Sequence, residues 1–198
     1  MPNPAPRRLG LLGGTFDPPH LGHLAAAHAV MTELRLDRVD FLVANDPWQK
    51  SDTRLVSPAA VRRHMVEALV EGHAGLGVDD REIRRGGLTY TADTLEEIHR
   101  ELPSTEVFLI VGADTAARLS TWHRPEVVRS LSTLVVVNRD GEMSNTTDAT
   151  AIHVSMERVD VSSTDIRGRV ARGESIDHLT SQGVVNIIEA HGLYRSVS

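Results

Sequence analysis

The segment Gly13-Gly14-Thr15-Phe16-Asp17-Pro18-Pro19-His20-Leu21-Gly22-His23 gathers residues suited to an anion. Two glycines let the backbone turn sharply and approach a ligand, and amide groups exposed there and at a following helix start favour negative charge. His20 and His23 stand three apart, so at a helix start their rings lie on one face and reach one point, and Gly22 keeps that face open. Two imidazoles converging on an anion pocket suit a phosphoryl-type transition state, in which donors aimed at developing charge supply much of the catalysis. Two other readings stay open: a tight strand-to-helix connection that happens to carry histidines, and a metal site built from Asp17, His20 and His23. Pro18 and Pro19 oppose a regular helix through Asp17, which moves its carboxylate off the histidine face. A second segment, Ser162-Ser163-Thr164-Asp165-Ile166-Arg167, places hydroxyls and free amides at a helix start with a guanidinium one turn on. That set can hold phosphate oxygens, or it is a Ser/Thr cap beside a solvated arginine.

Both segments need elements that bring them to one place. Apolar runs at Arg8 to Leu12, Val39 to Val43, Leu76 to Asp79, Val107 to Val111 and Leu134 to Val137 read as buried strands. Helical periodicity separates them at Gly22 to Leu34, Pro58 to Glu71, Ala92 to Glu101 and Pro125 to Ser130, and two further helices follow at Thr164 to Arg172 and Gln182 to His191. Ser57 before Pro58, Thr91 and Ser181 are candidate caps, and Gly192 stops the last helix. Near-continuous apolar strands alternating with helices imply a three-layer α/β fold, a Rossmann-like parallel sheet with helices on both faces and a small C-terminal helical part from about residue 162. The whole length of 198 residues reads as one domain. The polar stretch Arg139 to Thr150 reads as a surface loop. In such sheets ligands bind beyond the carboxyl ends of the strands, which is where both segments fall.

Composition narrows the function classes. There is no cysteine, which removes thiol catalysis and zinc-cysteine sites. A chain of this size buries roughly 70% of its unfolded surface and needs no staple. A net charge of -6 argues against indiscriminate binding to nucleic acid or an anionic membrane. No apolar run approaches the ~18 residues of a membrane span, and the stretch after Arg7 and Arg8 ends too soon for a secretory signal, so a cytoplasmic protein is expected. Twenty of the 21 basic residues are arginine and Lys50 is the sole lysine. Association into a homo-oligomer is left open.

The segment from Gly13 to His23, ending in His20-Leu21-Gly22-His23, resembles the T/H-x-G-H signature of the nucleotidyltransferase superfamily. The segment from Ser162 to Arg167 resembles the second signature of that superfamily, about 140 residues further on. In the middle of the chain, Gly86-Gly87-Leu88-Thr89-Tyr90-Thr91-Ala92-Asp93-Thr94-Leu95 is similar to a segment of the bacterial nicotinate mononucleotide adenylyltransferases. So are Gly112-Ala113-Asp114 followed by Trp122, and Pro47-Trp48-Gln49-Lys50, which resembles the actinobacterial form of an acceptor loop. The likeness runs from Arg8 to about Tyr194.

The resemblance implies transfer of AMP from ATP to nicotinate mononucleotide, releasing pyrophosphate. His20, His23 and Arg167 would be catalytic. Gly13, Gly14, Thr15, Phe16, Gly112, Asp114, Ser162, Ser163 and Thr164 would bind ATP, with Asp114 near a ribose. Thr89, Tyr90, Trp122 and His123 would take the pyridine and its carboxylate, with Trp122 stacked on the ring. Lys50 is a candidate for the acceptor phosphate. Trp48 either stacks on a ligand or pins its loop to the core. Mg²⁺ would arrive with ATP, bridging phosphate oxygens rather than filling a protein cage. The acceptor phosphate, with a second pKa of about 6, needs no general base. One departure stands out: Leu42-Val43-Ala44-Asn45-Asp46 occupies a position where many members carry proline and glycine. The rival readings are another adenylyltransferase of the fold, such as the phosphopantetheine type, and a non-catalytic nucleotide-binding protein. The choice between nicotinate and nicotinamide nucleotide is not fixed by the sequence.

Overall fold

The computed structural model describes residues 5–46, 56–139 and 148–195. The apolar runs form β1 (Arg8–Gly14), β2 (Arg38–Val43), β3 (Leu76–Asp79), β4 (Glu106–Gly112) and β5 (Thr133–Arg139), joined at the edge by β6 (Ile152–Met156). All pairings are parallel and the sheet order is β3-β2-β1-β4-β5-β6. The chain therefore leaves β1 toward β2 and returns on its other side with β4, which places the topological switch point at the carboxyl ends of β1 and β4.

Side chains alternate between two apolar clusters, one on each face of the sheet. Leu12, Phe41, Ile110 and Val135 face α1 (Leu21–Glu33), α2 (Ala59–Val70), α7 (Ser163–Ala171) and α8 (Gln182–Ala190). Leu11, Leu109, Val111 and Val136 face α4 (Thr91–Glu101), α5 (Ala113–Ala116) and α6 (Pro125–Leu131). The sheet is thus covered on both sides, as the continuous apolar runs require. The C-terminal helices share the first cluster with α1 and α2 through Ile166, Val184 and Ile188.

The differences from the expected elements have local causes. β6 alternates exposed and buried residues as an edge strand does, so it lacks the run that marks the central strands. The short α3 (Arg81–Arg85) and α5 span barely a turn and leave no period to read. Ser181 caps α8 by accepting from the Val184 N–H, as expected. The other two caps are corrected. Thr91 is the first residue of α4 rather than its cap, and Pro58 holds the cap position of α2 without a side-chain bond. The Ser57 hydroxyl is directed instead to Tyr194 Oη, 3.4 Å away. Of the stretch Arg139 to Thr150, residues 140–147 lie outside the described part. Asp148 at its far end accepts from Arg129 and Thr150, which holds its carboxyl below the usual range.

Candidate active site

Beyond β1 the chain makes its turn at Phe16 rather than at the glycines. Gly13 and Gly14 are still in the strand, and Phe16 takes the left-handed conformation with φ 52°. The strain is held by packing, because the Phe16 ring is buried, tilted against Phe41 and edge-on to His23 with centroids 5.0 Å apart. Gly13 has nothing within 4 Å of the position a Cβ would occupy, so this strand end stays open.

His20 stands at the N-cap of α1, and its backbone N–H donates to His23 Nδ1 at 3.1 Å. In a neutral His23 this assigns the ring proton to Nε2. The two rings stack with centroids 3.7 Å apart. Gly22 gives that stack its room, since a Cβ there would lie 3.1 Å from His20 Nδ1 and 3.2 Å from Val161 Cγ1 and the neighbours would have to yield. The rings do share one face. Asp17 does not join them: its carboxylate accepts from Tyr194 Oη at 2.6 Å. Among the described residues no group of three or more His, Asp or Glu is arranged to hold a metal ion.

The second segment closes against the first. Ser162 caps α7 by accepting from the Asp165 N–H, which spends its hydroxyl on the helix. Ser163 Oγ donates to Pro18 O at 2.8 Å, and Arg167 donates to Asp17 O at 2.8 Å and to Thr164 Oγ1 at 3.1 Å. Thr180 Oγ1 donates to Pro19 O at 2.9 Å, so three successive carbonyls of the β1–α1 connection are held. This bonding pattern was not legible in the sequence, which offered phosphate or solvent as partners. Thr15, Phe16, Asp17, His23, Ser163, Thr164 and Arg167 surround a cavity of about 280 Å³, beside the N-terminus of α7.

A second cavity, of about 230 Å³, adjoins it through Thr15. Its floor is the ends of β1, β2 and β4, with Gly13, Leu42 and Val111, and its walls carry Thr89, Tyr90, Trp122 and His123. Tyr90 and His123 lie ring against ring with centroids 4.4 Å apart. The Trp122 indole N–H is buried without an acceptor among the described residues. The wall is fastened to β2 by Asn45, whose N–H donates to Thr89 Oγ1 at 3.1 Å and whose side chain donates to Gly87 O at 2.9 Å. These bonds occupy the position where the sequence departs from the family pattern.

The expected site residues thus divide into two adjoining sets. His20 is buried behind His23, and Ser162, Gly112 and Asp114 line neither cavity. Gly112 and Asp114 lie at the exposed carboxyl end of β4. Trp48 and Lys50 fall outside the described residues. Two residues that the sequence did not single out belong to the site. Glu82, on α3, lines the aromatic cavity and accepts from Thr94 Oγ1 at 2.8 Å. Burial pushes its carboxyl up to about 7, against the opposing pull of that hydrogen bond and of the Arg85 charge. Tyr194, near the C-terminus, reaches Asp17 across most of the chain. Burial and the Asp17 charge raise its phenol, which stays protonated and donates.

Residues 11–169 match the family described as cytidylyltransferase-like. The chain belongs to the cytidylyltransferase-like family. Within it, a protein of Dehalococcoides mccartyi named probable nicotinate-nucleotide adenylyltransferase is 39% identical, covering 94% of this chain and 97% of its own. A protein of the same name from Corynebacterium kroppenstedtii is 41% identical over 94% of this chain and 90% of its own. Among solved structures, Plasmodium falciparum nicotinic acid mononucleotide adenylyltransferase complexed with NaAD superposes with a TM-score of 0.78 over 95% of this chain and 97% of that one. At 14% identity that likeness shows a shared fold. Among the described residues no helix is long and apolar enough to cross a membrane.

Proposed function

We infer that the protein is a nicotinate-nucleotide adenylyltransferase. It transfers AMP from ATP to nicotinate mononucleotide, giving nicotinate adenine dinucleotide and pyrophosphate, a step of NAD biosynthesis. The observation that carries the reading is the pair of cavities meeting at Thr15, one walled by hydroxyls, His23 and a guanidinium and the other by aromatic rings. The two chemistries match a polyphosphate and a planar heteroaromatic acceptor.

In the proposed mechanism the acceptor phosphate attacks the α-phosphorus of ATP in line, and pyrophosphate leaves on the opposite side. The acceptor phosphate is largely anionic at neutral pH and attacks without a protein base. His23, donating through Nε2 with His20 stacked behind it, stabilises charge at the α-phosphate. Ser163, Thr164, Arg167 and the α7 amides hold the β- and γ-phosphates. Gly13, Gly14, Thr15 and Phe16 border the nucleotide, partly through backbone, and Gly112 and Asp114 lie toward its ribose. The pyridine ring stacks on Trp122, and Thr89, Tyr90 and His123 close over it, with Lys50 for the acceptor phosphate. The phosphate-side cavity offers hydroxyls, an imidazole and a guanidinium, which suit phosphate oxygens, and its one carboxylate, Asp17, accepts from Tyr194. Mg²⁺ bound with ATP would therefore take its ligands from the phosphates and water, and it would neutralise charge there. The acidic charge of -6 is in keeping with an enzyme of the cytoplasm acting on small molecules rather than on nucleic acid.

The acceptor preference is read from the Trp122 N–H, a buried donor without an acceptor among the described residues, in a wall of aromatic rings and the Thr89 hydroxyl. A carboxylate would satisfy it better than a carboxamide. Pyrophosphate release with ATP and Mg²⁺, comparing nicotinate mononucleotide, nicotinamide mononucleotide and phosphopantetheine, tests the reading. The first is expected to react fastest. Equal rates for the first two would overturn the carboxylate preference, and release with phosphopantetheine alone would overturn the acceptor assignment.

A further inference from the structure

The largest fully buried side chain of the described residues is a charged one. Arg62, on the inner face of α2, is 1% exposed. It donates through Nε to Ser57 O at 2.8 Å, through Nη1 to Thr15 O at 2.8 Å and to Ala44 O at 2.7 Å, and through Nη2 to Asn45 O at 2.8 Å. Four carbonyl dipoles thus face one planar cation. Burying an arginine on an apolar helix face is costly unless its donors are met, and a methionine or leucine would fill the same space without that cost. What the guanidinium adds is geometry: beyond the last bond between β1 and β2, Ala44 N–H to Gly14 O at 3.1 Å, one rigid fork ties the two diverging strand ends to each other and to the turn into α2.

Those segments are the two halves of the site. Thr15 borders both cavities, and Ala44 borders the aromatic one. Asn45 continues the chain of bonds to Thr89 Oγ1 and Gly87 O. Ser57 leads into α2 and carries the hydroxyl directed to Tyr194, which in turn holds Asp17. Arg62 lines neither cavity itself. These hydrogen bonds lead to residues that do, on the phosphate side through Thr15 and on the acceptor side through Ala44, Asn45 and Thr89.

We propose that Arg62 is a positioning residue for the transfer reaction, fixing the separation and alignment of the phosphate-side and acceptor-side cavities from below. The proposal rests on the two-substrate reading of the site. An in-line displacement depends on that alignment, and a misplacement of about 1 Å costs roughly 10²-fold in rate. The groups proposed for the β- and γ-phosphates lie in one cavity and those proposed for the pyridine ring in the other, so most of the binding of either substrate alone does not depend on the alignment.

This separates positioning from plain structural support. Arg62→Lys keeps the buried charge, but a compact ammonium cannot span the four carbonyls in one plane. The expected result is a fall in kcat of about 10²-fold. The dissociation constants of ATP alone and of nicotinate mononucleotide alone, read by calorimetry, should stay within about threefold of wild type. An unchanged kcat, or dissociation constants that rise as kcat falls, would overturn the proposal. If R62K does not fold, Arg62→Met decides, because it fills the same space without the four donors and without a buried charge. It should lower kcat about 10²-fold with both dissociation constants kept, whereas unchanged turnover in R62M would overturn the proposal. A wild-type protein that does not turn over nicotinate mononucleotide would remove the functional reading and this one together, whereas active wild type with equally active variants removes this one alone.

Discussion

Replacing Glu82 by glutamine probes the acceptor side of the site through its protonation. In the folded chain burial holds the carboxyl at about 7, against an ordinary value of 4.5. Between those values the folded state binds more protons than the unfolded one, so the contribution of Glu82 to stability falls as pH rises and levels off above about 7. At full titration the difference is on the order of 3 kcal/mol, of which about 2–3 kcal/mol develops between pH 5 and pH 8.5. Glutamine is nearly isosteric, stays neutral and still accepts from Thr94 Oγ1, so it removes the titration while keeping the bond seen at 2.8 Å. The E82Q protein should therefore gain stability over wild type as pH rises, and at pH 8.5 its melting temperature should exceed that of wild type by roughly 5–10 °C more than at pH 5. The assay is thermal unfolding of both proteins across that range at constant ionic strength. A melting-temperature difference that stays constant with pH would show that Glu82 is ionised in the folded state, which would refute the burial argument.

Three further outcomes follow from the geometry of the site. His23→Ala should lower kcat by about 10²–10³ while the affinity for ATP changes little, measured as steady-state pyrophosphate release beside calorimetric binding. Trp122→Ala should raise KM for the pyridine nucleotide about tenfold or more and leave ATP binding as it is, because the indole lines only the aromatic cavity. Gly22→Ala should cost about 1–3 kcal/mol in denaturant unfolding, since its Cβ would meet His20 Nδ1 at 3.1 Å. The same change should lower kcat roughly tenfold to hundredfold by shifting the stacked histidines, and an alanine variant with wild-type kcat would show that their alignment is not needed.

The sequence by itself determined the layers, the strand and helix types and the two signature segments. Residue types and periods of 2 and 3.6 are local properties, and the central strands of a parallel sheet carry them as uninterrupted apolar runs. The spacing of His20 and His23 was enough to predict that their rings meet, but not that His20, an extended N-cap, would stack behind His23 rather than face the cavity beside it. It was not enough for β6, whose edge position leaves a short alternating pattern, or for the glycine turn, because Phe16 rather than Gly13 or Gly14 takes the left-handed conformation. Only the tertiary structure decided how distant groups meet. Arg167 holds the carbonyl of Asp17 across 150 residues, and Tyr194 takes the Asp17 carboxylate across 177, away from the histidines. The Glu82 carboxyl is raised to about 7 because the fold buries it, and Arg62 reads in the sequence as one arginine among twenty on an amphipathic helix. Desolvation and long-range hydrogen bonding depend on which surfaces pack together, and no local pattern of residue types records that.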